Sequence, residues 1–380
     1  MKNGWPTKTL GEVCGFVRGP FGGSLKKSVF VEDGFAVYEQ QHAIYNQFED
    51  IRYFIDDAKF REMQRFELRP NDLIMSCSGT MGRVAIAPKS LRRGIINQAL
   101  LKLSPSSAVL PEFLKYWMES TGFQDSLSEQ AGGVAIQNVA SVSILKEIKM
   151  PLPPLPEQQR IVGILDEAFA GIATAKANAE KNFQNARALF ESHLQSVFSQ
   201  PGQGWVKKPL EGLGSIRTGK HDANHQVEDG PYPFYTCAVG QFRSPTFSFD
   251  GASIILPGNG ANVGKVFFYD GKFEAYQRTY IVNELIDTLN PRFLFYCFSA
   301  GWAEHIATKQ FGSATNYIVV GGLKSFPVPT PPLSVQEATV EHLDTLAEET
   351  QRLETIYRQK LAALEELKKS LLHRAFAGEL

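Results

Sequence analysis

Met150-Pro-Leu-Pro-Pro-Leu155 recurs 178 residues later as Val328-Pro-Thr-Pro-Pro-Leu333, and at both places the texture of the chain changes abruptly. Proline fixes φ and removes a backbone donor, so each run reads as an extended hinge. Behind the hinges, residues 157–199 and 335–377 hold helix formers and, apart from Gly163 and Gly171, no Gly or Pro. Each stretch predicts one long helix, about 65 Å at 1.5 Å per residue. In the second, Leu343, Leu346, Thr350, Leu353, Tyr357, Lys360, Leu364, Leu367, Leu371 and Ala375 follow one another at spacings of three and four, the heptad pattern. The same offset gives Leu165, Ala168, Ile172, Ala175, Ala179, Asn182, Ala186, Leu189, His193 and Val197 in the first. A seam of mostly small residues facing a seam of large ones predicts an antiparallel coiled-coil pair, with Asn182 and His193 as polar edge or register-setting groups.

Ahead of the hinges the chain also repeats. Trp5-Pro-Thr-Lys-Thr-Leu-Gly-Glu is echoed by Trp205-Val-Lys-Lys-Pro-Leu-Glu-Gly, Gly82-Arg-Val84 by Gly264-Lys-Val266, and Pro111-Glu-Phe-Leu114 by Pro291-Arg-Phe-Leu294. The offset is 200 at the start and 178 at the hinge, so the second copy is shorter by 22 residues. Runs such as Ala252-Ser-Ile-Ile-Leu256 and Lys265-Val-Phe-Phe-Tyr269, punctuated by Gly, Pro and Asn, read as strands and turns. A short helix is expected after each of Pro111 and Pro291, where Phe113, Leu114, Trp117 and Phe293, Leu294, Cys297 recur at helical spacing. The expected class is α+β: an internal tandem repeat with pseudo-twofold symmetry, of two mixed α/β domains separated by two long antiparallel coiled-coil helices. The boundaries are 1–150 and 201–328 for the domains, with hinge and helix in 151–200 and 329–380.

With 380 residues, 43% hydrophobic and 11% aromatic, the chain has the composition of a globular protein. Its net charge is only −1, with small positive excesses of +2 over residues 1–150 and +1 over 201–328. That balance permits nucleic-acid binding only where the charge gathers on one face. Cys14, Cys77, Cys237 and Cys297 lie far apart without metal-ligand spacing, so buried reduced thiols are expected and no metal. Without a signal-like start or a run of about 18 apolar residues, a cytoplasmic protein with no membrane contact is expected.

Pro151-Leu-Pro-Pro-Leu-Pro-Glu-Gln-Gln-Arg-Ile161, after a domain that opens with Trp-x-x-x-x-Leu-Gly-Glu, resembles the specificity subunits of type I restriction-modification systems, the HsdS family. The second copy, Val328-Pro-Thr-Pro-Pro-Leu-Ser-Val-Gln336, lacks the Glu-Gln pair at its usual position. The resemblance spans essentially the whole chain. It implies a circularly arranged, non-catalytic subunit with two target-recognition domains, each reading half of a bipartite, asymmetric DNA site. It further implies double-stranded DNA, two methylase subunits and two motor-nuclease restriction subunits as partners. No cofactor is expected in this chain; S-adenosylmethionine, ATP and magnesium belong to the partners.

Base edges are read chiefly by Arg and Lys on guanine and by Asn and Gln on adenine. Loops rich in such residues supply the candidates. In the first domain they are Arg18, Lys26, Lys27, Gln40, Gln41, His42, Ser78, Thr80, Arg83, Asn97 and Gln98. In the second they are Arg217, Lys220, His221, Asn224, Asn259, Asn262, Gln277, Arg278, Thr279, Thr315, Asn316 and Tyr317, with Tyr235 nearby. This second set resembles one recurrent type of recognition domain in the family. Catalytic residues are not expected. Gly258-Asn-Gly-Ala-Asn-Val-Gly-Lys265 has the wrong spacing for a phosphate loop, and no Ser or Thr follows the lysine. Both double prolines are followed by Leu rather than the aromatic residue of an amino-methyltransferase motif, and no Pro-Asp of a nuclease motif occurs. The alternative function is a coiled-coil protein–protein adaptor that does not touch DNA.

Overall fold

The computed structural model describes residues 4–130, 142–199, 202, 205–238, 240, 242–307 and 317–380. The chain forms two compact units, residues 1–179 with 360–380 and residues 180–359.

Both units are built on the same four-stranded antiparallel sheet. In the first, the order is Cys14–Arg18, Leu100–Pro105, Leu73–Ser76, Val84–Ile86; in the second it is Ser215–Thr218, Thr279–Asn283, Ser253–Pro257, Phe267–Tyr269. Period-two alternation gives each sheet two apolar faces. Leu73, Met75, Leu101 and Leu103 pack with the helix Pro111–Glu119, whereas Ile74, Ala85 and Leu100 pack with Ala36, Tyr38 and Ile96 of a second, five-stranded sheet. In the other unit Ile254, Leu256 and Val282 face the helix Pro291–Ala307, and Ile255 and Ile281 face Phe249, Phe273 and Ala275. The helix after Pro291 is 17 residues long, nearly twice the 9 of its counterpart. Cys14, Cys77 and Cys297 are buried, and Cys237 is half-buried.

Each proline run closes its own unit. Lys149–Pro151 pairs antiparallel with Thr7–Thr9, and Pro327–Pro329 with Lys207–Pro209. A long helix follows each, Leu155–Ser199 and Leu333–Ala377, and the two pack together. Two buried glutamines, 178 positions apart, tie the helix starts to the units. Gln158 accepts from Leu110 N–H at 2.9 Å and donates to the carbonyls of Ala108 and Pro153; Gln336 accepts from Asn290 N–H at 2.9 Å and donates to those of Thr288 and Pro331. About two turns later, the hydroxyls of Tyr116 and Tyr296 donate to Asp166 and Asp344.

Within each unit the helix pairing is antiparallel: Lys176 with Glu365 and Arg160 with Leu380 in the first, Arg187 with Glu354 and His193 with His342 in the second. The seam departs from the expected one. Leu165, Ile172, Ala179 and Ala186 are buried as the heptad requires, but Asn182 and Leu189 are exposed, Leu189 at 71%, and Phe183 and Phe190 stand half-buried beside them. In the partner helix Leu353 and Leu367 are 39% and 46% exposed and Lys360 is exposed, while Ala347, Glu354, Leu361 and Lys368, each one residue from an expected position, are less so. The buried positions still repeat every seven residues, but the second row of the seam lies one residue further along than the expected one.

Candidate nucleic-acid interface

In the first unit the candidate loops leave the sheets at one end. Strands Cys14–Arg18 and Leu73–Ser76 end, and Leu100–Pro105 begins, at the same edge, since Leu101 pairs with Arg18 and Leu100 with Ser76. The parallel strands Phe35–Tyr38 and Gly94–Ile96 deliver Gln40 and Asn97 to it, and Asn97 N–H donates to Tyr38 O at 2.9 Å. Gly19 is required there: a Cβ on it would lie 1.8 Å from the carbonyl oxygen of Asn97. Ser78 Oγ donates to Gln40 Oε1 at 3.3 Å, and Gln41 Nε2 to Asp50 O at 3.3 Å. Arg18, Gln40, Ser78, Asn97 and the exposed Gln98 are thereby gathered. Burial pushes the Cys77 thiol up to about 11, and the Arg18 guanidinium beside it works against that rise. Thr80 and Arg83 are exposed and line a cavity of about 420 Å³ with Lys115, Gln124, Lys368 and Lys369. Lys26 and Lys27 are exposed on separate short turns. His42 does something else. Fully buried, its Nδ1 accepts from Glu39 N–H at 2.9 Å and its Nε2 lies 3.1 Å from Asp50 O, so it braces the loop.

The second unit repeats this convergence at the corresponding strand ends. A Cβ on Gly219 would lie 1.8 Å from Ala275 O, and one on Gly258 would lie 2.3 Å from Arg278 O. Asn259, Gln277, Arg278 and Tyr317 join Thr218 around a cleft of about 220 Å³. Asn259 Oδ1 is buried there with no hydrogen-bond partner among the described residues. Lys220, Asn224, Gln277 and Arg278 are exposed, and Gln277 N–H donates to His221 O at 2.9 Å. Four of the expected residues are engaged in the fold. Arg217 is exposed but pairs with Glu284 at 2.7 Å and Asn283 at 3.1 Å. Thr279 is buried in its strand, Asn262 Nδ2 donates to Cys237 O at 2.8 Å, and Tyr235 packs against Tyr269 and Phe273. Burial raises the Tyr235 hydroxyl above its ordinary range. Thr315 and Asn316 lie outside the described residues.

The model of the type I restriction modification DNA specificity domain matches this chain twice, over residues 2–181 and 202–365. This chain belongs to that family. The matched repeats account for most of its length. The chain is similar to the EcoDI specificity subunit of Escherichia coli, with 34% identity over 176 residues, 46% of this chain and 38% of that protein. It is also similar to the EcoKI specificity subunit of Escherichia coli K12, with 21% identity over 100% of this chain and 90% of that one. The matched stretches span 38% and 29% of the EcoDI and EcoBI subunits. The fold is shared with a chain from a structural study of complex assembly and conformational transition of the type I R-M system, with TM-score 0.81, 19% identity and coverage of 100% and 99%. The HsdS subunit from Thermoanaerobacter tengcongensis gives TM-score 0.64 at 18% identity, covering 100% and 98%.

For a specificity subunit the informative feature is that both repeats use the same strand ends. Thr218 and Tyr280, which line the second cleft, were not among the expected residues, although Arg217 and Thr279 of the same strands were. Their signal was position: Thr218 precedes Gly219 and Tyr280 lies two residues after Arg278, both at points of close backbone approach. No described helix is long and apolar enough to cross a membrane.

Proposed function

We infer that the chain reads a split DNA site with two heads, residues 1–150 and 201–328, and directs partner subunits that carry the chemistry. The observation that carries this is the convergence, in each unit separately, of Arg, Asn and Gln side chains from distant loops onto one end of the same sheet. Such residue types read base edges in the major groove, and the exposed Lys26, Lys27, Arg83 and Lys220 suit phosphate contacts. Asn259 Oδ1, a buried acceptor without a partner among the described residues, suits a cleft completed by a donor on the ligand. Two similar, non-identical heads fit an asymmetric bipartite target. Methyl transfer and cleavage, with S-adenosylmethionine, ATP and magnesium, then belong to two methylase and two restriction subunits. A protein–protein adaptor has no use for polar clefts at matching strand ends.

Duplex DNA binding by the assembly with its methylase, measured against salt, tests the reading. Arg278→Ala is expected to relax one position of one half-site by about 1–3 kcal/mol of discrimination if it reads a base. If it contacts phosphate, it lowers affinity for all sequences and reduces the salt slope by about one. Unchanged affinity and sequence preference in both Arg278→Ala and Gln98→Ala would overturn the assignment.

A further inference from the structure

The second unit holds a cluster of side chains, among them the candidate His221, that lies outside the cleft lined by Asn259, Gln277 and Arg278. Glu274 is fully buried on the two-residue strand Glu274–Ala275, paired parallel with Tyr232–Tyr235. Its Oε2 accepts from Ser248 Oγ at 2.7 Å and its Oε1 from Ala275 N–H at 2.9 Å. A buried carboxylate held by two neutral donors is further stabilised by a cation placed beside it. Among the described residues the basic side chain within ion-pair distance is the imidazole of His221, whose Nε2 lies 3.5 Å from Oε2. The ring of His225 stacks on that of His221, centroids 3.6 Å apart and planes at 11°. One ligand atom from each of the three residues lies within 4.8 Å of the others. Two imidazoles face to face cannot both carry charge beside one carboxylate without repelling each other.

We propose that His221, His225 and Glu274 form a binding site for a late first-row divalent cation such as Zn²⁺. Two neutral imidazoles and one carboxylate are a ligand set zinc takes with bonds of about 2.0–2.2 Å, leaving a fourth position open. Bonds of that length put tetrahedral ligand atoms about 3.3–3.6 Å apart, which is the His221–Glu274 separation already present. Imidazole ligands select zinc, cobalt or nickel over magnesium and calcium. The Ser248 hydroxyl, donating to Oε2, holds the carboxylate in place. The backbone is fixed at both ends of the loop: the carbonyl of His221 accepts from Gln277 N–H, and Asp222 caps the short turn Ala223–His225. Only His225 must turn out of the stack, giving up a single side-chain hydrogen bond, 3.1 Å, to the Thr246 hydroxyl. Bound metal would pin the loop that carries Lys220 and Asn224 against the sheet. His221 then holds the loop in place rather than touching a base.

The experiment uses the untagged full chain, stripped with chelator, loaded with Co²⁺ or Zn²⁺ and dialysed. Bound metal is measured by elemental analysis and by the visible absorption of Co²⁺. The wild-type chain is expected to retain one ion per chain, with cobalt d–d bands and no thiolate charge-transfer band. His225→Ala changes a partly exposed side chain, and its fold is checked by circular dichroism; it should bind at least about tenfold more weakly. Glu274→Gln should do the same. His342→Ala, which breaks the His193–His342 contact on the long helices, should leave binding unchanged. Failure of the wild-type chain to retain an ion, full retention by His225→Ala, or loss in His342→Ala would each overturn the proposal. None of these outcomes bears on whether the heads read DNA.

Discussion

Gln158 and Gln336 each satisfy one buried N–H and two carbonyls at the point where a proline run becomes a long helix. Replacing either by Leu keeps the volume but leaves those groups unpaired, at a cost of about 1–3 kcal/mol for each group that water cannot reach. Gln158→Leu and Gln336→Leu should therefore each lower the thermal unfolding midpoint, whereas the exposed Gln159→Leu should not; equal midpoints would remove the glutamines from the list of structural ties. A second residue-scale effect depends on pH. Burial acts to raise Asp344, but Arg292 Nε at 2.8 and 2.9 Å from its two oxygens, and the Tyr296 hydroxyl, hold it below the usual carboxylate range. A carboxyl depressed in the folded state stabilises fully above its unfolded value near 4 and loses that contribution as pH falls through the lower folded value. Asp344 is partly exposed, so its worth is on the order of 1 kcal/mol after solvent screening. The difference in midpoint between wild type and Asp344→Asn should be largest near neutral pH and shrink below about pH 4. A difference that grows on acidification would contradict the assignment.

At the scale of elements, the long helices were legible in the sequence because hinge, length and heptad spacing agree, and their phase was not. Spacing fixes a period; which of two neighbouring positions fills the second row depends on how side chains pack against the partner, and Arg187 lying over Phe183 while paired to Glu354 belongs to the shifted seam. The consequence is testable. Leu343 is fully buried against Leu194, Tyr296 and Ala300, so Leu343→Asp should cost several kcal/mol and prevent folding or assembly. Leu353→Asp, at a position 39% exposed, should cost no more than about 1 kcal/mol. If the two variants unfolded alike, the unshifted heptad would be the correct seam. The candidate loops were legible in part for a similar reason. Residue type marks Gln98 and His42 equally as candidates, and only the fold shows one in solvent and the other with both ring nitrogens occupied. The histidines of the 221–225 loop carried no usable signal, because their third partner, Glu274, is distant in sequence.

For the whole molecule, duplication of sheet, helix, ladder and glutamine tie makes each head a module with its own closure. Pro327–Pro329 pairs with Lys207–Pro209, so a transplanted head must carry both strands, residues 205–329, for the ladder to travel intact. Gln336 stays behind, and its bonds to Asn290 N–H and Thr288 O require only backbone from the incoming head. Any related head with the same turn before its helix can therefore be seated. The Arg292–Asp344 and Tyr296–Asp344 contacts are side-chain specific, and a donor lacking them should give a less stable but folded hybrid. If the heads read independently, exchange of 205–329 for the equivalent of a related specificity subunit should change one half-site of the methylation pattern and leave the other, with the gap between them unaltered. The measurement is a methylome of cells carrying the hybrid with the cognate methylase. A pattern in which both halves changed, or in which the folded, assembled hybrid kept the parental sequence in both, would show that recognition is not divided between the two heads.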